Sequence, residues 1–358
     1  RAQNQRRLIH KKTGGPPPGR RAGMQGAGRA RGCLVNLIAA RGKRLMNKVI
    51  CVGNAVVDII VKNGPDRTPD GMTQFSESID LYAGGDAVNE AVGLAAMGND
   101  VRLYTAIGDD ALGSAFMSLI KSFGIAMDGI VKDREHGTTA TVVTVGADGE
   151  HGCMTLKNGA AGNMRYSTEV FDIDFSGAKL VSIASLFWSR GQTDADLTRL
   201  LSKAKEAGAQ TMADMVLDQS QMSLEDIAGA MKYLDFLVPS YHEAAYFTGK
   251  HTPEEIAQAF HRRGVGTVVL KMGAEGVFAS AQGRTYRVGT IADRVVDTLG
   301  AGDNFVAGFI TGIVEGRSIE EALYFGSAAS AIAISQYGAS GAIKSRQQVQ
   351  DYLDAHRK

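Results

Sequence analysis

The stretch of sequence that most restricts the fold is Asp297-Thr298-Leu299-Gly300-Ala301-Gly302-Asp303, which opens a helical pattern over residues 301–315. Capping alone does not account for three small residues between two aspartates in this region. A Gly-Ala-Gly turn leaves backbone N–H groups unobstructed at a helix N-terminus, where they and the helix dipole attract anions. The stretch therefore predicts a helix that begins at an anion-binding turn.

Asp303 lies in the first turn of this predicted helix. The helix dipole alone favours an acid at this position, so the position by itself assigns no role. If a phosphoryl group occupies the N–H groups of the turn, however, Asp303 is placed to take a proton from an attacking hydroxyl. The combination is typical of phosphoryl transfer by positioning and electrostatics.

Strands and helices alternate regularly on both sides of this stretch. We predict strands over residues 179–183, 210–215, 233–238, 267–271 and 277–281. We predict helices over residues 194–207, 241–247, 253–263, 301–315 and 319–336. Such alternation implies parallel strand pairing and a doubly wound, mostly parallel α/β sheet with helices on both faces.

The first half of the chain adds elements that do not all fit this sheet. A strand over 49–57, a helix over 86–97, a strand over 101–107 and a helix over 111–123 continue the alternation. Strands over 138–145 and 151–156 instead flank Asp148-Gly149, a strong hairpin signal. With the polar strands between Ile59 and Leu81, they predict a small antiparallel appendage drawn from about 58–84 and 128–160.

Charge is unevenly distributed along the chain. The 39 Lys/Arg and 38 Asp/Glu give a net charge of +1, but residues 1–45 hold 12 of the basic residues and no acid. Residues 46–358 hold 27 basic and 38 acidic residues. Because 1–45 has a Gly/Pro-rich run and no apolar period, we predict a disordered or non-native extension. A targeting peptide is the alternative, and 46–358 is the expected folded domain.

This composition excludes several classes of protein. Nucleic-acid binding depends on neutralising phosphates, which an acidic domain does poorly, so we expect no nucleic-acid partner. No apolar run reaches the roughly 18 residues of a membrane span, so we expect no membrane partner. Three widely spaced cysteines indicate neither a disulfide framework nor a zinc cluster. A reducing compartment is the simplest interpretation, and we predict a cytoplasmic location.

The sequence D-T-x-G-A-G-D before a helix resembles the C-terminal signature of the PfkB (ribokinase-like) carbohydrate and nucleoside kinases. Residues 53–59, GNAVVDI, resemble the first strand of that family. Residues 83–89, AGGDAVN, resemble the Gly-Gly-x-x-x-Asn that follows its lid strands. The resemblance covers essentially all of 48–355. It implies a ribokinase-like fold with the appendage as a lid, ATP and Mg²⁺ as cofactors, and phosphorylation of a primary hydroxyl of a sugar.

The resemblance also implies roles for individual residues. Asp303 would be the general base, and the backbone N–H groups of Gly300, Ala301 and Gly302 would form the anion hole. Carboxylate and amide groups suit vicinal diols, since a carboxylate can accept two O–H bonds. The implied sugar-binding residues are Asp58, Gly84, Gly85 and Asn89.

Further segments resemble the family more loosely. Residues 271–276, KMGAEG, resemble its K-x-G-x-x-G nucleotide turn, and the small-residue segment 326–338 corresponds to its adenine-flanking helix. Where the family has Asn-x-x-Glu, this chain has Ser240 in place of the asparagine, and Glu243 would position Mg²⁺ through water. The implied nucleotide-contacting residues are Lys271, Gly273, Gly276, Thr298 and Ser240.

Three functions remain open at this point. The first is a sugar kinase, and the second is an adenosine-type nucleoside kinase, in which Tyr82, Phe75, Phe187 and Trp188 are candidates to stack on a base. The third is a catalytically silent sugar- or nucleotide-binding regulator, against which the intact Asp303 argues. A sugar-acid substrate would need a cationic clamp, for which Arg165 and Arg190 are candidates by position. The expected partners are a small sugar or nucleoside and, through paired lid edges, a second subunit.

Overall fold

The computed structural model describes residues 47–62, 73, 75–145, 151–217, 220–336 and 338–357. The predictions for residues 1–45 and for the turn at Asp148-Gly149 therefore lie outside the described residues. No helix within the described ranges is long and apolar enough to cross a bilayer.

Strands and helices alternate along most of the described chain. The strands are β1 (Lys48–Val52), β2 (Val56–Lys62), β3 (Ser78–Gly84), β4 (Asp100–Gly108), β5 (Ile130–Asp133), β6 (Ala140–Val145), β7 (His151–Thr155), β8 (Ala178–Leu186), β9 (Gln210–Met215), β10 (Phe236–Leu237), β11 (Thr267–Lys271), β12 (Val277–Ala281) and β13 (Arg284–Val288). The helices are α1 (Asp86–Ala96), α2 (Ala111–Ile120), α3 (Thr168–Phe171), α4 (Asp194–Glu206), α5 (Ala228–Met231), α6 (Tyr241–Thr248), α7 (Pro253–His261), α8 (Ala301–Val314), α9 (Ile319–Ile334) and α10 (Arg346–His356).

A nine-stranded sheet forms the centre of the protein, in the order β13-β12-β11-β10-β9-β8-β1-β4-β5. The pairs from β11 to β5 are parallel, and β12 and β13 add an antiparallel edge. Along β1, Val49 and Cys51 belong to one core cluster and Ile50 and Val52 to the other. Because successive side chains of a strand point to opposite faces, both faces of the sheet are buried. The predicted doubly wound, mostly parallel α/β fold is confirmed.

A second, four-stranded sheet has the order β3-β2-β6-β7 and is the predicted appendage. Its outer pairs, β2 with β3 and β6 with β7, are antiparallel, whereas the central pair β2 with β6 is parallel. Several large apolar side chains of this lid sheet are exposed, including Ile79, Leu81 and Met154.

The structure corrects two predicted strands. The single strand over 49–57 is wrong, because the chain leaves the large sheet after β1 and enters the lid sheet at β2. The Gly53 N–H donates to the Tyr104 carbonyl oxygen (3.2 Å) at the break. The predicted strand over 233–238 is shorter in the structure and comprises only β10. The N–H groups of Tyr233 and Leu234 instead donate to the carbonyl oxygens of Ala230 and Met231, which places both residues in turns.

Several elements were not predicted, namely the strands β5 and β13 and the helices α3, α5 and α10. Strand β5 lies within 128–160, the range predicted to supply lid strands, but it pairs with β4 in the large sheet. In α10, Val349 and Leu353 are buried, one helical turn apart. Two core-facing positions in eleven residues give too weak a period to predict a helix.

Candidate active site

The N-terminus of α8 is built on a tightly held turn. Gly300 is its N-cap with φ 71°, and a Cβ there would lie 2.4 Å from the Ala339 carbonyl oxygen. The Asp297 side chain accepts from the N–H groups of Leu299 (2.9 Å) and Gly338 (3.0 Å). These contacts fix the turn against the segment that follows α9, and only glycine fits at position 300.

The N–H groups of this turn are not equally available to a ligand. The Ala301 N–H donates to the Thr298 carbonyl oxygen (3.2 Å), and the Asn304 N–H donates to that of Gly300 (3.0 Å). The N–H groups of Gly302 and Asp303 lie in the first helical turn, where no acceptor exists within the helix. Of the three predicted anion-hole residues, Gly302 thus has the most suitable N–H group.

Asp303 connects the ends of two helices. Its Oδ2 accepts a hydrogen bond from Asn89 Nδ2 of α1 (2.8 Å), although 214 positions separate the two residues. Burial raises the pKa of Asp303, while the Asn89 bond and the charge of Lys271 pull it down. The other amide atom, Asn89 Oδ1, is buried without a hydrogen-bond partner among the described residues. A ligand hydroxyl at this point would find an acceptor next to Asp303.

Lys271 and Asp214 form a buried ion pair at the carboxyl ends of β11 and β9, where ligands bind in open α/β sheets. A Cβ on Gly302 would lie 3.2 Å from Lys271 Nζ, so this ammonium group lies beside the predicted anion hole. Burial lowers the pKa of Lys271, but the charges of Asp214 and Glu243 outweigh it and the pKa stands above its usual value. Burial raises the pKa of Asp214 to about 7 against the opposing charge of Lys271.

The predicted sugar-binding residues lie where the lid sheet meets α1. Asp58 is on β2, and a Cβ on Gly84 would lie 1.9 Å from its Oδ2, so only glycine leaves room for this carboxyl group. Burial raises the pKa of Asp58 to about 6. Gly85 is the N-cap of α1 with φ 96°, and a Cβ there would lie 2.7 Å from the Asn54 carbonyl oxygen. Gly85 is therefore required by the close approach of backbone, and Gly84 by the position of the Asp58 carboxyl group.

A cavity of about 1090 Å³ extends from Asp303 along the edge of the large sheet. One end is polar and is lined by Asp86, Asp214, Lys271, Gly302 and Asp303. The other end is lined by Ile291, Ala292, Val295, Ser330, Ala331 and Ile334. The predicted nucleotide and metal residues Lys271, Gly273, Gly276, Thr298, Ser240 and Glu243 all line this cavity. Its lining is therefore polar around Asp303 and more apolar around Ile334.

Ser240 and Glu243 hold the N-terminus of α6 in a capping box. The Ser240 N–H donates to Glu243 Oε2 (2.8 Å), and the Glu243 N–H donates to Ser240 Oγ (3.3 Å). Serine caps a helix as well as asparagine does, which explains its tolerance at this position. Among the described residues no three His, Cys, Asp or Glu side chains come together as a metal cage.

Other candidate residues are engaged elsewhere. Arg165 donates bidentately to Asp196 (2.9–3.0 Å), and Arg190 donates to Asn158 Oδ1 (2.8 Å). Phe187 is fully buried and stacks on Phe247 with ring centroids 4.2 Å apart. Arg165 would have to give up its charged partner to clamp a substrate carboxylate, whereas the partner of Arg190 is a neutral amide.

Asp86 and Asp214, which were not predicted as site residues, both line the polar end of the cavity. Asp86 directly follows Gly84-Gly85, so its position within the Gly-Gly-x-x-x-Asn motif could have indicated that it lies in the site. Asp214 ends a predicted strand of the parallel sheet, where functional side chains collect. Its pairing with Lys271 carries no local signal, because 57 positions separate them.

Comparison with known proteins is consistent with this geometry. The model of the pfkB family carbohydrate kinases matches residues 46–346, and the chain belongs to this family. It is 27% identical to the ribokinase of Haemophilus influenzae over 318 residues, which cover 86% of this chain and 99% of that protein. It is also 27% identical to the 2-dehydro-3-deoxygluconokinase of Bacillus subtilis over 299 residues, covering 80% and 91% of the two chains.

The solved structure of Arabidopsis thaliana ribokinase complexed with ribose and ATP superimposes with a TM-score of 0.72. It is 27% identical in sequence, and the match covers 86% of this chain and 99% of that chain. These comparisons confirm the predicted family and the ribokinase-like fold. They define the protein as a carbohydrate kinase at the level of the family.

Proposed function

We propose that the protein is an ATP-dependent phosphotransferase that phosphorylates a primary hydroxyl of a sugar. The observation that carries the proposal is the meeting of Asp303, Asn89 and Lys271 at the glycine turn of α8. One group can accept a proton, one can bind a hydroxyl, and one can stabilise phosphate charge. These are the elements that phosphoryl transfer requires.

Asp303 is the proposed general base. Asn89 donates to Asp303 Oδ2 and so stabilises the ionised carboxylate, while burial keeps its pKa raised and its basicity useful. Asp303 removes the proton from the substrate hydroxyl as the hydroxyl oxygen attacks the terminal phosphorus of ATP. The bond from that phosphorus to the bridging oxygen breaks, and ADP leaves.

The N-terminus of α8 is proposed to hold the transferring phosphoryl group. The Gly302 N–H lies in the first turn of α8 and the Lys271 ammonium lies beside the same residue, so both would place positive charge where negative charge develops. The apolar end of the cavity, with Ala331 and Ile334, is the proposed site of the adenine base. Glu243 would hold Mg²⁺ through water, and the ion would neutralise charge on the phosphate oxygens.

Asp58 and Asn89 are the proposed acceptors for sugar hydroxyls, with Gly84 leaving room for the Asp58 carboxyl group and Gly85 allowing the close approach of the Asn54 backbone. A sugar is the preferred substrate because the similar proteins include ribokinases. Of the candidates for base stacking, Phe187 is fully buried against Phe247, whereas Phe75 and Tyr82 are exposed and would serve the alternative, a nucleoside. A sugar acid would be bound by Arg190 rather than by Arg165, because Arg165 is paired with Asp196 and Arg190 donates to the neutral Asn158.

The lid sheet is proposed to cover the sugar and exclude water, which suppresses hydrolysis of ATP. Ile79 and Met154 are about two-thirds exposed on this sheet (66% and 67%), which supports pairing of two lids in a homodimer. We take residues 46–358 as the kinase domain and residues 1–45 as an extension without a catalytic role.

The direct test is an ADP-release screen over ribose, fructose, adenosine, inosine, cytidine and 2-keto-3-deoxygluconate, followed by Asp303→Asn on the substrate found. We expect turnover with a sugar and a decrease in kcat of ~10²–10⁴ in the variant, with substrate binding retained. ADP release with none of the compounds would favour the silent regulator. Wild-type turnover of Asp303→Asn would exclude Asp303 as the base.

A further inference from the structure

Asp86 belongs to a small buried network that the proposed mechanism does not use. Asn54 Oδ1 accepts from the Asp86 backbone N–H (2.9 Å) and lies 2.7 Å from Ser185 Oγ. Ser185 Oγ in turn lies 2.9 Å from Asp86 Oδ2. Asn54 and Ser185 are buried, and the Asp86 carboxyl lines the polar end of the cavity together with Asp303.

The hydrogens of this network can be counted. The Asp86 backbone N–H fixes the Asn54 atom as the amide oxygen, which can only accept. Ser185 has a single hydroxyl hydrogen and cannot donate both to Asn54 Oδ1 and to an ionised Asp86. If Asp86 were ionised, one of these short contacts would join two acceptors in a buried place, which is costly.

A single arrangement satisfies both contacts. A protonated Asp86 donates to Ser185 Oγ, and Ser185 donates to Asn54 Oδ1. The chain of donors then ends at a carbonyl oxygen that already accepts from the backbone, and every short contact has one hydrogen.

The surrounding charges act in the same direction. Burial raises the pKa of Asp86, and the charges of Asp303 on α8 and Asp214 on β9 raise it further, against the effects of Ser185 and Lys271. Glu90, one turn along α1, and Tyr166 also face this carboxyl. Asp303 differs because it accepts from Asn89 Nδ2, a donor that favours its ionised form. The two carboxyl groups therefore have opposite kinds of partner.

We propose that Asp86 is a positioning residue that stays neutral and protonated, so that Asp303 beside it can stay ionised as the base. The inference rests on the proposed kinase function for the role of Asp303. Two carboxyl groups that share one cavity do not ionise together easily, and the environment decides which one holds the proton. Here the hydrogen bonds of Ser185 and Asn54 favour the protonated form of Asp86, and the hydrogen bond from Asn89 favours the ionised form of Asp303.

The protonation state can be tested without any substrate by infrared difference spectroscopy of the whole protein at pH 7. Wild type minus Asp86→Asn should contain the C=O band of a protonated carboxyl group. Asp109→Asn is the matched control, because the partner Lys132 (2.9 Å) lowers the pKa of Asp109. Its difference spectrum should contain no band of a protonated carboxyl group. If the Asp86 difference instead contains only carboxylate bands, the proposal is wrong.

The positioning role is tested by comparing kcat of Asp86→Asn and Asp86→Ala on the substrate found by ADP release. Asparagine is neutral and can donate to Ser185, so we expect its kcat to exceed that of the alanine variant by ~10-fold, about the effect of one hydrogen bond. An asparagine variant as slow as the alanine variant would overturn the role. A wild type that transfers no phosphate would refute the proposed function, while the infrared result would still decide the state of Asp86.

Discussion

Asp58→Asn replaces a carboxyl group whose surroundings oppose its charge. The side chain lies against Gly84 in the lid sheet, and burial raises its pKa from a usual 3.8 to about 6. A difference of one pKa unit corresponds to 1.36 kcal/mol, so ionised Asp58 lowers the free energy of unfolding by at most about 3 kcal/mol. Asparagine has nearly the same shape and no charge, and it removes this cost.

The sign of the effect follows from where the proton binds. Below about pH 4, Asp58 is protonated in both the folded and the unfolded chain and costs nothing. As the pH rises through about 6, the folded protein must give up a proton that it holds more tightly than the unfolded chain does. The stability of wild type relative to Asp58→Asn should therefore fall between pH 4 and pH 7.

The measurement is urea denaturation of both proteins at several pH values, followed by the fluorescence of Trp188, the single tryptophan. Asp174→Asn is the control with opposite sign. The Ser176 N–H (2.9 Å) and Lys48 (3.0 Å) lower the pKa of Asp174. The free energy of unfolding of wild type should therefore increase relative to that of Asp174→Asn as the pH rises. The raised pKa of Asp58 would be contradicted if the stability difference between wild type and Asp58→Asn did not depend on pH, or if it favoured wild type at pH 7.

Two further predictions concern the N-terminus of α8. Gly302→Val would place a Cβ 3.2 Å from Lys271 Nζ, and the branched side chain should block the anion hole and lower kcat at least as much as loss of one of its donors, ~10²–10³. Wild-type ADP release by a folded variant would mean that the phosphoryl group binds elsewhere. Lys271→Met should lower kcat by ~10–100-fold, because hydrogen bonds to charged groups contribute about 1.5–3 kcal/mol. Its thermal stability should be greater at pH 6 than at pH 8, since loss of the Lys271 charge raises the pKa of Asp214 above its wild-type value of about 7 and the buried carboxyl group is then most stable protonated; the opposite order would contradict the ion pair.

The parts of the fold that could be predicted are those with local signals. The helix α8 begins at Ala301 as expected, because the glycine turn that opens it is visible in the sequence. Ser318 and Glu321 form a capping box at the start of α9, and S-x-x-E is a local sequence signal for a helix N-terminus. Strands β11 and β12 occupy the predicted residues 267–271 and 277–281, since short apolar runs between glycines leave few alternatives.

The parts that could not be predicted depend on contacts between distant segments. The pattern over 49–57 is apolar almost throughout, and only the packing of Gly53 against β4 separates β1 from β2. The contacts of Asn89 with Asp303 and of Asp214 with Lys271 arise from the order of strands in the large sheet. Family resemblance supplied Asn89 and Asp303, but it supplied no role for Asp86 or Asp214.

Under the proposed function an acidic domain binds ATP, which creates a local problem of charge. Among the described residues that line the cavity, Lys271 is the one Lys or Arg, whereas five residues are acids: Asp86, Asp214, Glu243, Glu275 and Asp303. Glu275 is exposed to solvent, but the other four acids, if all were ionised, would repel a nucleotide phosphate. The ion pair with Lys271 offsets Asp214, Mg²⁺ would offset Glu243, and the proposed proton on Asp86 removes a third charge. Asp303 then keeps its charge at the polar end of the cavity, where the proposed reaction has a proton to transfer.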